Sequence, residues 1–205
     1  VCGTMGRFHD HFAVMEEVIG YNNPEKEAFA MNALISNKGN FFIADTYINE
    51  NPTAEQLAKG TLMCAAEMKR FGLKPKVALV SNTNYGSNRN PDANKMQQAL
   101  ELIRELDPAL EIDGEMQADV ALDEEMRKSI FPETTLSGAA NLLVMPNVEA
   151  ANISYNLLRV NATNGITVGP ILMGLNKPVQ IVTPISTVRR IVNMIALAAV
   201  DAQRQ

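Results

Sequence analysis

The chain has 205 residues, 46% of them hydrophobic and 20% charged, and a net charge of −5. That length holds one ordinary domain, or a domain and part of a second, with enough core to need no disulfide or metal staple. A mildly acidic chain is a poor general binder of nucleic acid, and the longest apolar run, near Ile195–Val200, falls far short of the ~20 residues a membrane span needs.

Apolar residues at three- and four-residue spacing (Phe8, Phe12, Met15, Val18, Ile19) predict a helix over 8–19, and Tyr21–Glu27 reads as a loop. Segments 30–36 and 41–45 read as two strands, joined into a hairpin by Asn37-Lys38-Gly39-Asn40. Asn51-Pro52 reads as an N-cap followed by a helix to Arg70, stopped by Gly72 and Pro75. Lys76–Ser81 is a short continuous apolar run of the kind that forms a strand covered on both faces, and a polar loop, Asn82–Asn88, follows it. Next come a helix over 92–106, a strand near Glu111–Asp113 and a helix near 123–129. A buried strand over Asn141–Met145 leads into a helix over 148–159. A further buried strand is expected over Pro178–Val182, and the last helix over Thr187–Ala202. Strands alternate with helices, so the class is α/β with a mostly parallel sheet.

Cys2 and Cys64 fit no CxxC or zinc spacing and read as two reduced thiols. No basic segment precedes an apolar stretch at the start, so no signal peptide is expected and the sequons at Asn152 and Asn161 read as chance. The opening Val1-Cys2-Gly3-Thr4 reads as the start of a piece cut or processed from a longer protein.

Loop Ser81-Asn82-Thr83-Asn84-Tyr85-Gly86-Ser87 follows a buried strand, the place where open α/β sheets take ligands. Its hydroxyls, amides and backbone N–H groups could meet an anion, or it could simply connect. Neither GxxxxGK[ST] nor GxGxxG occurs. Gly165–Gly174, which includes Gly169-Pro170, reads as a strand or hinge, or as a close backbone approach to a ligand. Asp113–Asp119 holds three carboxylates, which could serve acid–base chemistry or a cation, but a solvated turn is the plainer reading. His9 and His11 point different ways on a helix and make no metal site. Arg189-Arg190 opens the last helix, where a cation opposes the dipole, so it needs a partner, either phosphate or a salt bridge.

Several segments together carry a resemblance. Ser81–Ser87, Asp113–Asp119, Asn141–Pro146 with Ala151–Tyr155, and Gly169–Leu175 resemble, in order, the phosphate acetyl/butyryl transferase family. Phe42–Tyr47, Pro52–Leu57 and Val188–Met194 are similar to one branch of it, the phosphotransacetylase-like C-terminal domain of bacterial NADP-dependent malic enzymes. The resemblance implies a two-lobed fold related to isocitrate and isopropylmalate dehydrogenases. Residues 24–172 would form the second lobe and residues 1–23 and 173–205 an incomplete first lobe, its N-terminal part absent along with the malic enzyme domain.

The family transfers an acyl group between phosphate and coenzyme A. Its strand after the Gly-Pro segment runs into Ser-Arg, with an aspartate six residues beyond that arginine. Those positions resemble Thr183, Pro184 and Arg190 here, so an arginine and the base are lost; another family arginine falls at Ala13, and Arg159 alone still matches one. Losing one electrostatic stabiliser typically costs ~10²–10³ in rate.

The resemblance therefore implies a non-catalytic domain that supports oligomer assembly and senses acetyl-CoA through Ser81–Ser87, Arg159, Gly169, Pro170, Thr183, Arg189 and Arg190. It holds no cofactor or metal itself, NADP and a divalent metal belonging to the absent domain. Its partners would be that catalytic domain and further copies through the second lobe, in the cytoplasm, with neither nucleic acid nor membrane. An active acyltransferase and a ligand-free dimerisation module are the alternatives.

Overall fold

The protein is described here from a computed structural model, which covers residues 1–37, 39–88, 90–162 and 165–203. Lys38 of the expected turn and Thr163 of the second sequon lie outside the described residues. The elements, in chain order, are α1 (Phe8–Val18), β1 (Phe29–Ser36), β2 (Gly39–Ala44), α2 (Ala54–Arg70), β3 (Lys76–Val80), α3 (Pro91–Leu106) and β4 (Glu111–Met116). There follow α4 (Ala118–Leu122), α5 (Glu124–Ile130), β5 (Leu142–Val144), α6 (Val148–Asn161), β6 (Ile166–Met173) and α7 (Val188–Gln203). Among the described residues no helix is long and apolar enough to cross a membrane.

The strands form one six-stranded sheet in the order β4-β3-β5-β2-β1-β6. β3 pairs in parallel with β4 and β5, and β2 in parallel with β5; β1 runs antiparallel to both β2 and β6. The sheet is therefore mixed, within an α/β class. Side chains alternate between its faces as the pleat dictates. Val77, Leu79, Leu142 and Val144 pack with α2 and α3, and Met194 of α7 joins them. Ala78, Val80, Leu143 and Met145 pack with Val120 and Ala121 of α4 and with Ala151 and Tyr155 of α6. A smaller third cluster joins Phe8 and Phe12 of α1 to Leu172, Leu175, Val179 and Ile181. Each fully buried large apolar side chain contributes about 1.5–3 kcal/mol.

The helix ends are set locally. α2 starts at Thr53 rather than Asn51, because Thr53 and Gln56 form a capping box that satisfies two N–H groups at once. Asn90 and Asn147 cap α3 and α6, and Pro91 occupies the first turn of α3. Gly60 lets α2 lie directly on Phe29: a Cβ there would sit 2.5 Å from the ring.

Two expectations are corrected. The strand expected over Pro178–Val182 is a buried extended segment with a single bridge, Cys2 to Ile181, and Pro178 has no N–H to give a ladder. The edge position belongs instead to β6, the glycine-punctuated segment, which pairs along β1 and breaks register between Met31 and Ala33. The stretch Asp113–Asp119 is also no solvated turn. Its first half completes β4, and Asp113 and Glu115 are 2% and 0% exposed.

Candidate functional site

β3 delivers loop Ser81–Ser87 to the carboxyl edge of the sheet, and β4 closes it from beneath. Glu115 Oε1 accepts from Thr83 Oγ1 (2.9 Å) and from the Gly86 N–H (2.9 Å). The Tyr85 N–H donates to the Glu115 carbonyl (2.8 Å) and the Ser81 N–H to that of Met116 (2.9 Å). The Thr83 N–H donates to Ser81 Oγ, that of Asn84 to Ser87 Oγ, and that of Ser87 to the Asn84 carbonyl. Asn84 and Gln117 exchange two further bonds, each 2.8 Å.

The N–H groups of residues 83–87 are thus all used inside the protein. An anion at this loop would meet side chains and the exposed turn around Asn82, not a cradle of free amides. Glu115 Oε2 is buried with no hydrogen-bond partner.

Asp113 braces the same corner. It accepts from Arg104 Nη2 (3.2 Å), Thr134 Oγ1 (2.5 Å) and the Thr135 N–H (3.2 Å). The Tyr85 ring stacks on Phe131 at 4.1 Å between centroids. Burial, with the Asp113 carboxylate behind it, pushes the Tyr85 hydroxyl up to about 12, so it stays neutral. These carboxylates serve as ties for a loop rather than as a solvent-facing pair.

A second cluster forms around the middle of β6. Gly169 holds a φ of +132°, and a Cβ there would lie 2.6 Å from Asn32 Oδ1 and 2.9 Å from the Met31 carbonyl. The close approach read from the glycines is to the protein's own strand β1. Arg190, in the first turn of α7, turns inward and is 6% exposed; its Nε donates to the Gly169 carbonyl at 2.6 Å. That carbonyl is the partner the helix-start cation needs, and Nη2 is left buried without one. The Arg190 N–H donates to Thr187 Oγ1, while Thr183 and Ser186 close a turn through their hydroxyls and backbone. Pro184 and Arg189 are exposed.

Arg159 stands apart, half-buried near the end of α6, its guanidinium 5.8 Å from the Tyr155 ring centroid. The residues singled out in sequence therefore fall into three places. Gly169, Pro170, Thr183 and Arg190 gather at β6 and α7. Ser81–Ser87 lie at β3, four strand positions away, or roughly 19 Å. Arg159 is on α6, on the other face of the sheet from α7.

One feature escaped the sequence reading. At the carboxyl edge β3 leads into α3 on one face and β5 into α6 on the other, the switch point where such sheets take ligands. A cavity of about 530 Å³ opens there, lined by Glu50, Asn51, Asp92, Asn147, Val148 and Glu149. Lys95 is pinned beside it by Asn51 Oδ1 (2.9 Å), the Pro146 carbonyl (2.8 Å) and Asp92 (3.1 Å). Three carboxylates against one held ammonium make it a poor anion site. Of its lining residues the sequence singled out only Asn51, as a helix cap, and placed Asp92, Val148 and Glu149 on helices. Among the described residues no cluster of His, Cys, Asp or Glu could hold a metal ion. Both cysteines are free, and burial pushes the Cys64 thiol up and keeps it inert.

Comparison with known proteins gives a consistent picture. The family described as "Phosphate acetyl/butaryl transferase" matches residues 1–199. The NADP-dependent malic enzyme of Escherichia coli is 57% identical over 205 residues, which is 100% of this chain and 27% of that enzyme. The phosphate acetyltransferase of Corynebacterium glutamicum is 35% identical over 158 residues, 77% of this chain and 48% of that protein. In structure, a phosphotransacetylase from Streptococcus pyogenes superimposes with a TM-score of 0.91 at 28% identity, over 99% of this chain and 62% of its own. The chain thus spans about a quarter of the length of the malic enzyme it matches.

Proposed function

This chain belongs to the phosphate acetyl/butaryl transferase family, and from that premise we propose that it is a non-catalytic regulatory and oligomerisation domain of an NADP-dependent malic enzyme. It would sense acetyl-CoA in a degenerate phosphate acetyltransferase cleft, while oxidative decarboxylation of malate to pyruvate, with NADP and a divalent metal, takes place elsewhere in the polypeptide, in the cytoplasm. Residues 24–172 act as the second lobe, and residues 1–23 and 173–205 as part of a first lobe related to those of isocitrate dehydrogenases.

The observation that carries the non-catalytic reading is Arg190. By resemblance it stands where active transferases place the carboxylate that takes the thiol proton. A guanidinium does not deprotonate in proteins, so it cannot act as that base. Here it is also turned inward onto the Gly169 carbonyl. Pro184 offers neither the arginine's charge nor an N–H. The higher identity to a malic enzyme than to a phosphate acetyltransferase favours the same reading.

Side chains of the Ser81–Ser87 loop, Arg159 and the Thr183–Arg189 turn remain as contacts for an extended, anionic coenzyme A ester. For oligomerisation, Ile153, Leu157 and Val160 form an outward row on α6, 53%, 62% and 80% exposed, at the spacing of one helix face. An active acyltransferase is the second reading, favoured by the hydroxyl kept at Thr183.

Two measurements on the longer polypeptide test this. Acetyl phosphate and coenzyme A should give no acetyl-CoA above background; robust turnover sinks the non-catalytic reading. Titration calorimetry with acetyl-CoA should give saturable binding that weakens by ~1.5–3 kcal/mol in Arg159→Ala, the cost of a lost charged hydrogen bond. Absence of binding in the wild type would leave assembly as the domain's only role.

A further inference from the structure

We infer that the amino end of the parallel strands carries a second ligand site, a pocket for one compact, uncharged, ring-bearing molecule. It is separate from the Ser81–Ser87 loop and from the Thr183–Arg190 corner, and it needs no coenzyme A ester. A cavity of about 290 Å³ opens between the end of α2, the second half of α7 and strands β1, β2 and β6. Ala33, Phe42 and Val168 line it from the sheet, and Phe71, Leu73 and Leu197 from the helix side. The gap is held open by structure around it. The Arg70 guanidinium donates to Glu67 within α2 (2.7 Å) and to Asp201 of α7 (2.6 Å), one turn beyond Leu197, and so fixes the spacing of the two helices beside the pocket. α2 closes with the Gly72 N–H on the Lys69 carbonyl and the Leu73 N–H on that of Met68, each 3.0 Å. That ending turns both Phe71 and Leu73 to the opening, and the Phe71 ring stacks 6.4 Å from Phe42.

The lining selects the occupant. Among the described residues that line the pocket, exposed Asn40 is the one polar side chain, and none is charged. An ion would lose its hydration there without a partner, so the ligand is neutral. A single hydroxyl or N–H on it would meet the Asn40 amide. Size sets the rest: a dry apolar cavity of about 150 Å³ takes benzene, so one of nearly twice that volume takes two fused rings. A mostly apolar pocket with one placed polar group is the usual form of a small-molecule site. A protein partner fits less well. Specific interfaces cover roughly 800 Å² on each side. Here the apolar opening is flanked by charges already paired within the chain, Lys69 with Asp107, Arg70 with Asp201 and Lys74 with Glu111.

Equilibrium dialysis of 2-naphthol against the full-length polypeptide tests the pocket. The expected result is one saturable site per chain with a Kd of about 1 mM or tighter. Naphthalene-2-carboxylate, the same rings with a charge, should bind at least ~10-fold more weakly. Ala33→Leu and Val168→Phe fill the cavity from the sheet, and each should weaken 2-naphthol at least ~10-fold, since packed walls do not yield. Phe71→Ala, at a site 38% exposed, removes one wall without touching the core and should weaken it ~5-fold. Ile130→Ala removes an exposed apolar side chain on α5 and should change nothing. Uptake without saturation, equal binding of the charged analogue, or unchanged affinity in the three pocket variants overturns the inference. Absence of binding also overturns it, and means that another part of the assembly fills the gap. Full binding in a protein that gives no heat with acetyl-CoA upholds the pocket and faults the sensing reading alone.

Discussion

Glu115 shows how much one side chain holds in place. Its Oε1 bonds both Thr83 and Gly86, and it is completely buried. Glu115→Ala should cost about 1–3 kcal/mol in urea unfolding, because two donors lose their acceptor in the interior. Hydrogen exchange should rise over residues 82–87 more than elsewhere; an unchanged loop would mean that Glu115 is not its anchor.

Gly169 and Gly72 separate space from conformation. Both hold positive φ, but a Cβ at 169 meets Asn32 and Met31 inside 3 Å, while at 72 it meets nothing within 4 Å. Gly72→Ala should cost about 1 kcal/mol, and Gly169→Ala more than ~2 kcal/mol, measured side by side by chemical denaturation.

Glu111 supplies the pH dependence. Burial raises its pKa, but the Lys74 ammonium at 2.7 Å and the Ser137 hydroxyl and N–H outweigh this and bring it down from 4.5 to about 2. A folded pKa below the ordinary value means the stabilisation is complete above pH 4.5 and is lost as pH falls towards 2. Melting temperatures of Glu111→Gln should fall less steeply than wild type across that window.

Among the elements, the short helices beside β4 depend on one buried cation. Arg127 of α5 is 0% exposed and donates to the carbonyls of Val120, Ala121, Leu136 and Gly138. It ties α4 to the segment that leads into β5. Arg127→Ala should destabilise by about 3–5 kcal/mol, since four carbonyls lose their donors at once. Arg127→Lys should recover part of this, because an ammonium cannot fork to two pairs of carbonyls. Equal losses in the two variants would mean that volume, not the fork, matters there. α5 was visible in sequence as a short helical pattern. The clamp was not, because its acceptors lie 6 to 11 residues away on backbone rather than on side chains.

At the scale of the whole molecule, two apolar helix faces look outward, on α6 and on α7. If α6 pairs with a second copy, Leu157→Asp should shift the full-length protein to a smaller species in sedimentation while leaving monomer melting near wild type; an unchanged sedimentation profile would exclude that face.

The α/β class, most of the elements, most helix ends and the family were readable from the chain, because periodicity, caps and short apolar runs are local signals; α4 and the last strand were not. Which segment joins the sheet was not local. Ile166–Met173 takes the edge because β1 offers it a long ladder, whereas Pro178–Val182 finds only Cys2. The Asp113–Glu115 carboxylates and Arg190 likewise took their roles from partners distant in sequence: Thr83, Gly86 and Thr134 for the former, and the Gly169 carbonyl for the latter. Sequence alone established which charged groups the chain carries and the helices and strands that bear them. Tertiary packing decided which of them are desolvated and therefore which must bond inward, because a buried charge takes whichever partner the fold brings within reach.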